Sequence, residues 1–346
     1  SIPKKPIIIV AIRHQDMSIH MTSLQHFFYQ LTHEIYKVST TLFKVLIPAI
    51  ICVKILEELG LVYYIGLAIS PLMQWVGLPE SMGLVWATTI FTNIYAGLII
   101  LANTPLDTPL TIAQASILGT MMLLAHALPV EAAIARKAGI SLWITLLVRV
   151  GGGLLLGILL NVLYSSGDYF ATPAHSLLHF EVSTDTSLVG WAKDQIVGLF
   201  IILAVISVLL FTLKILRILR IEKLIAIALR PFLKVLGISQ QATSLTLIGI
   251  TLGLSFGGGL LINEAQNGKI AARDVFTSIM LLNLLHSLIE DTLLILMIGA
   301  DFYTIFWGRL IFAVTVIFIM TRLLDLLSEE NRQRFFYRSV VKNSPG

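Results

Sequence analysis

Charge is what this chain has least of. Only 13% of its 346 residues are Asp, Glu, Lys or Arg, about half the share of an ordinary soluble domain. A water-exposed globule of this length is hard to build from so few, and 56% of the residues are hydrophobic. The class this leaves is an integral membrane protein. One cysteine, Cys52, stands inside an apolar run, which excludes a disulfide framework and a thiolate metal cluster. There is no His-Glu-x-x-His, no Walker loop and no Gly-x-Ser-x-Gly elbow, so no enzyme activity is expected and no cofactor is called for. The net charge of +4 is no nucleic-acid signal, because the basic residues flank apolar segments, where they orient a membrane protein.

Basic residues are also unevenly absent. None lies between Ile55 and Ala135, and none between Val150 and Ala192. This matters because residues 71–160 read again at 231–320. A shift of 160 carries Pro71 onto Pro231, Gly77 onto Gly237, Gly97 onto Gly257, Asn103 onto Asn263, His126 onto His286, Glu131 onto Asp291 and Arg149 onto Arg309. Segment 57–80 has no basic residue, whereas its copy at 217–240 carries Arg217, Arg220, Lys223, Arg230 and Lys234. The positive-inside rule then sets the two copies on opposite faces. The expected fold is all-α and polytopic, with two inverted repeats of the kind secondary transporters use.

The expected divisions are an N-terminal cytoplasmic segment 1–35, of which 1–20 reads as non-native, and a first membrane repeat 36–163. An acidic extracytoplasmic linker 164–192, a second repeat 193–323 and a basic cytoplasmic tail 324–346 follow. A bilayer crossing needs about 20 apolar residues. The candidate crossings are 38–56, 82–102, 140–163, 194–213, 240–262 and 302–323. Residues 60–77 and 220–237 suit interfacial helices. Residues 110–135 and 270–299, apolar but interrupted by polar groups, are expected to form hairpins or re-entrant helices. The implied site is a bacterial inner membrane, with both termini cytoplasmic and the lipid bilayer as the first partner.

Two constellations carry candidate chemistry. Polar breaks at Asn93, Asn103 and Thr104, matched by Asn263 and Glu264 in the second copy, expose backbone groups that membrane depth tolerates only beside a cavity. These are the expected contacts for a small polar solute. The second set is His126, Glu131, His286, Glu290 and Asp291. Ionisable groups inside membrane segments are costly and mark function, and a His–carboxylate pair can carry a proton or ligate a metal. H+ or Na+ is the expected coupling ion. Arg149 and Arg309 each need carboxylate or carbonyl partners and read as structural charges, clamped to Glu131 or Asp291.

The block Thr89–Ile140 resembles the nucleoside recognition, or Gate, family, through Asn93-Ile94-Tyr95-Ala96-Gly97, Asn103-Thr104-Pro105-Leu106, Leu110–Gln114 and the segment from His126 to Gly139. That family includes concentrative nucleoside transporters, the membrane part of ferrous-iron transporter B, and spore maturation proteins A and B. The resemblance implies an ion-coupled secondary transporter with a nucleoside-like substrate, and it also admits a homodimer. A divalent metal-ion permease and a non-transporting scaffold that acts through a partner protein are the alternatives.

Overall fold

The structure, a computed structural model, describes residues 23–177 and 187–340. The segment 1–20, the middle of the linker and the end of the tail lie outside them. The described residues are helical, with two isolated β-bridges and no strand. Six helices among them are long and apolar enough to cross a membrane, three in each half: Gln25–Cys52, Ile112–Lys137 and Leu142–Gly167, then Leu188–Ile218, Ala272–Leu296 and Tyr303–Asp325.

The first half opens with α1 (Ser23–Glu58). It starts well before the apolar stretch at residue 38, because a helix continues through polar residues once an apolar section anchors it. Gly60, at φ 69°, turns the chain into α2 (Leu61–Trp75). Next come α3 (Met82–Phe91) and α4 (Ile94–Asn103). The second half repeats this with α9 (Leu188–Ile218), Arg220 at φ 58°, α10 (Ile221–Val235), α11 (Gln240–Leu252) and α12 (Leu254–Gln266). At 15 residues each, α2 and α10 span about 22 Å and fall short of a bilayer core of about 30 Å.

The expected crossings at 82–102 and 240–262 are each two short helices folded against one another. Ten residues per arm in α3 and α4 reach about 15 Å, and thirteen in α11 and α12 about 20 Å. Neither hairpin is long enough to cross. Its arms touch where one residue lacks a side chain: Gly97 lies against Thr89, and Gly257 against the backbone of Gly249. The first tip is Thr92–Asn93, where the Asn93 carboxamide accepts from Ala96 N at 2.9 Å and caps α4. The second is Gly253 alone, at φ 99° and ψ 161°, a conformation that suits glycine and few other residues.

The segments expected to form hairpins or re-entrant helices are instead helices long and apolar enough to span, each broken in the middle. In the first half α5 (Ile112–Leu124) and α6 (Leu128–Lys137) meet at Ala127, φ 46°. In the second, α13 (Ala272–Leu285) and α14 (Leu288–Leu296) meet at Ser287, φ 47°. A third crossing closes each half: α7 (Leu142–Leu146), a π-helical turn and α8 (Gly152–Gly167) in one, a π-helical turn at Tyr303–Gly308 and α15 (Arg309–Asp325) in the other. Three crossings per half is odd, as inversion requires. A final short helix, α16 (Glu329–Phe335), packs its C-terminal end on the α6–α7 corner through Phe336 O, which accepts from Ser141 N at 2.8 Å.

Backbone conformation repeats with the sequence. Left-handed residues pair at an offset of 160: Gly60 with Arg220, Gly77 with Gly237, Ala127 with Ser287, Gly139 with Gly299. The broken helices run antiparallel. Ser116, early in the first, accepts from Asp301 N past the end of the second at 2.8 Å, and the two cross at His126 and His286. Likewise the start of α1 meets the end of α9, where Lys214 pairs with Glu34 at 3.3 Å.

The glycine contacts in the second hairpin make a simple test. A Cβ at Gly257 collides with the backbone of Gly249, whereas one at Gly259 meets nothing. Gly257→Ala is therefore expected to destabilise by about 1–3 kcal/mol through overpacking, and Gly259→Ala to be neutral or slightly stabilising. Thermal unfolding in detergent checks this, and equal melting of the two variants would contradict the packing.

Candidate functional site

A break inside a spanning helix strands polar groups. The last carbonyls of α5 and α13 lose their intrahelical partners, and no water is at hand in a bilayer. Two arginines from the third crossings meet that need. Arg149 donates to His126 O and Asn283 O, each at 2.7 Å. Arg309 donates to His286 O at 3.0 Å and Leu284 O at 2.8 Å. Both are fully buried. A cation at a helix C-terminus is also favoured by the helix dipole. Arg149 sits within one π-helical turn and Arg309 follows the other, and such turns are frequent at functional sites.

The second half-helices present the opposite polarity. Glu131 lies in the first turn of α6, and Glu290 and Asp291 in the first turn of α14, where carboxylates complement the positive end of the dipole. Glu131 forms an ion pair with Arg149 through Oε2. Its Oε1 lies 3.0 Å from His286 Nε2 and 3.4 Å from His126 Nε2. Asp291 Oδ2 is 3.8 Å from His126 Nε2 and has no hydrogen-bond partner. The carboxylates thus cross over between repeats, Glu131 nearer the second histidine and Asp291 facing the first.

The histidines meet at the centre, Nε2 to Nε2 at 2.9 Å. Each Nδ1 lies against a main-chain carbonyl one turn back, His126 at 3.0 Å from Met122 O and His286 at 2.8 Å from Leu282 O. A carbonyl only accepts, so each Nδ1 carries its hydrogen and donates. His126 and His286 are 6% and 4% exposed, Glu131 and Asp291 6% and 7%. The histidines stand near mid-length in their spans, and the two acids lie about one turn further along. The arrangement can hold a cation: His126, Glu131 and His286 offer three ligand atoms within 4.8 Å of one another.

The remaining expected residues are distributed otherwise. His286 and Glu290 do not share a helical face, because the break at Ser287 separates them. Glu290 instead accepts from Tyr95 OH of the first hairpin at 3.4 Å. Asn93 is at a hairpin tip. Asn103 and Thr104 lie at the base of that hairpin, donating to Ile99 O and Ile100 O at 2.8 and 2.7 Å. Asn263 is exposed near the base of the second hairpin, and Glu264 pairs with Lys269 at 3.0 Å. None of these last four joins the His–carboxylate centre. Arg149 is clamped to Glu131 as expected, whereas Arg309 has no ion pair within 4.0 Å among the described residues and is held by carbonyls. One residue went unforeseen. Asn283, fully buried, has a carboxamide without hydrogen-bond partners, and a lone amide in the apolar run 279–285 was its only signal.

Residues 39–141 match the family model described as Gate: Nucleoside recognition. The match takes in the second half of α1, α2, the first hairpin and the first broken helix, and it bears out the resemblance carried by Thr89–Ile140. The chain is 25% identical to the uncharacterized membrane protein YvoD of Bacillus subtilis (strain 168) over 290 residues, which is 83% of this chain and 90% of that relative. No solved structure matches.

If the arginine clamp holds the broken helices together, Arg149→Met costs about 3–5 kcal/mol, because Glu131 is left buried without a counter-charge. Adding Glu131→Gln removes that charge and restores part of the loss. Thermal melts of single and double variants check this, and a double variant no better than Arg149→Met would contradict the clamp.

Proposed function

We infer that the protein is a membrane transporter: an ion-coupled carrier of a small polar solute, with the buried His–carboxylate centre as its coupling site. The observation that carries this reading is the duplication of one device. Two broken helices of opposite direction meet at their breaks, with a short hairpin folded beside each. Discontinuous helices near mid-membrane at a repeat interface are how secondary transporters build binding sites. The centre is closed on all sides at these levels of burial, so transport requires it to open. The left-handed Ala127 and Ser287 are the natural hinges, since each holds a sparsely populated backbone conformation.

The solute is nucleoside-like by the resemblance of residues 39–141, and it would contact the hairpin tips at Thr92–Asn93 and Gly253, where main-chain groups are free of regular helix. Asn103, Thr104, Asn263 and Glu264 stand at the hairpin bases and would meet a solute only near the membrane boundary. The orientation that follows from the basic residues has the linker 164–192 outside and the tail 324–346 in the cytoplasm. No catalytic motif argues for an enzyme.

Uptake of radiolabelled nucleosides into proteoliposomes, driven by an inward proton or sodium gradient, tests the reading. His126→Ala and His286→Ala are expected to abolish gradient-driven uptake in protein that still elutes as a folded species. Normal uptake by both would remove the histidines from coupling, and no gradient-dependent uptake of any solute by the wild type would overturn the transporter. Impermeant thiol labelling of Asp168→Cys in a Cys52→Ser background reads the orientation in the same vesicles.

A further inference from the structure

The geometry points to a divalent transition-metal site, of the zinc class, formed by His126 Nε2, His286 Nε2 and Glu131 Oε1, with Asp291 supplying the fourth ligand. This rests on the preceding reading only in taking the same centre as an ion site, and it adds a bound metal ion to the proton or sodium whose gradient drives uptake.

The argument begins with the histidine tautomers. Both Nδ1 atoms donate to carbonyls, those of Met122 and Leu282. A neutral imidazole so held presents a bare lone pair at Nε2. Here two such lone pairs face each other at 2.9 Å. A third acceptor, Glu131 Oε1, closes the triangle at 3.0 and 3.4 Å. Three acceptors this close repel unless something positive sits among them. A single shared proton bridges two atoms, whereas a metal ion bridges all of them.

The spacing suits such an ion. Zinc bonds to imidazole nitrogen and carboxylate oxygen are about 2.0–2.2 Å, so tetrahedral ligand atoms stand roughly 3.4 Å apart. One edge of the triangle, at 3.4 Å, meets that value, and the other two, at 2.9 and 3.0 Å, are within about half an ångström of it, so the ligands need part only slightly around an ion. The supporting bonds are also those of a metal site. A ligating histidine ordinarily gives its other N–H to a carbonyl or carboxylate, which fixes the ring and raises its basicity, and both histidines do so here.

The fourth position has its own evidence. Asp291 is the repeat-equivalent of Glu131 but one methylene shorter. Its Oδ2 stops 3.8 Å from His126 Nε2, and it is buried without a hydrogen-bond partner. A buried carboxylate oxygen left so is costly, and a metal at the triangle would satisfy it. Neither positive charge nearby reaches Asp291: Arg149 holds Glu131 Oε2 and two carbonyls, and Arg309 holds two carbonyls, its Nη1 left without a partner, with no ion pair to Asp291 within 4.0 Å. Ligand softness selects among ions. Two imidazole nitrogens favour zinc, cobalt, nickel or iron over magnesium and calcium, which prefer all-oxygen shells.

The test uses full-length, tag-free protein in detergent, stripped with a chelator and titrated with Co2+, whose visible d–d absorption reports four-coordinate geometry. The expected result is about one equivalent bound per folded chain, not displaced by excess Mg2+ or Ca2+. His286→Gln or His126→Gln should lower the affinity at least about tenfold, and His33→Ala, an exposed histidine on α1, should leave it unchanged. If the glutamine variants do not fold, X-ray absorption at the zinc edge of the wild type decides. Two imidazoles and one or two carboxylate oxygens in the first shell uphold the site. An all-oxygen shell, or stripped wild-type protein that binds no Co2+, overturns it and leaves a shared proton between the histidines. Absent metal with intact solute uptake sinks this inference alone, and bound metal without any uptake sinks the transporter reading but leaves the site.

Discussion

Carbonyl groups set free in the middle of a membrane helix must find donors, and the centre of this protein follows from how they do. α5 and α13 each stop halfway across the bilayer, and water cannot cover the ends. Arg149 and Arg309 cover them, at 2.7–3.0 Å and with no exposure of their own. The arginines bring positive charge to the same spot, and Glu131, with Asp291 beside it, supplies the negative charge that makes two buried guanidiniums tolerable. Once the breaks are held, the histidines at their ends are held too, because each ring bonds back into the last turn of its own half-helix.

Duplication explains why the centre is built twice, and its imperfections explain how it differs from a symmetric one. The positions of the breaks, the arginines and the histidines all recur at an offset of 160. The acids do not match: Glu131 reaches across to the partner histidine, and Asp291 falls short. The hairpin tips differ as well. Asn93 caps its arm with a side chain, whereas Gly253 turns in a single residue. One half therefore carries the acid that lies within 3.0 Å of a histidine and a polar tip, and the other the acid that stops at 3.8 Å and a bare backbone tip. That asymmetry leaves the two halves of the site unequal although its scaffold has two-fold character.

Much of this was legible in the amino acids. The paired His, acid and Arg marked the centre, because polar residues that recur in an apolar chain are not placed by composition. The count of basic residues in 57–80 against 217–240 called for inversion, and the antiparallel broken helices agree with it. The exchange of roles between crossings and hairpins was not legible. Apolar runs such as 82–102 meet the length of a crossing, and a turn as short as Thr92–Asn93 or Gly253 barely dents them. Conversely, the true crossings break at Ala127 and Ser287, residues that no propensity scale flags as left-handed. The polar clusters at Asn103 and Asn263 read as breaks but are ends of hairpin arms, because turn residues look alike at a membrane surface and at depth.

The most direct measurement exchanges the two acids. If the longer acid is the stronger ligand from whichever repeat carries it, Glu131→Asp alone lowers the Co2+ affinity of the purified protein at least about tenfold. Adding Asp291→Glu restores it, since the new glutamate reaches His126 as Glu131 reaches His286 and faces Arg309 as Glu131 faces Arg149. Recovery of binding in the exchanged protein is the expected result. A folded double variant that binds no better than Glu131→Asp alone would contradict a single metal centre shared by two inverted halves.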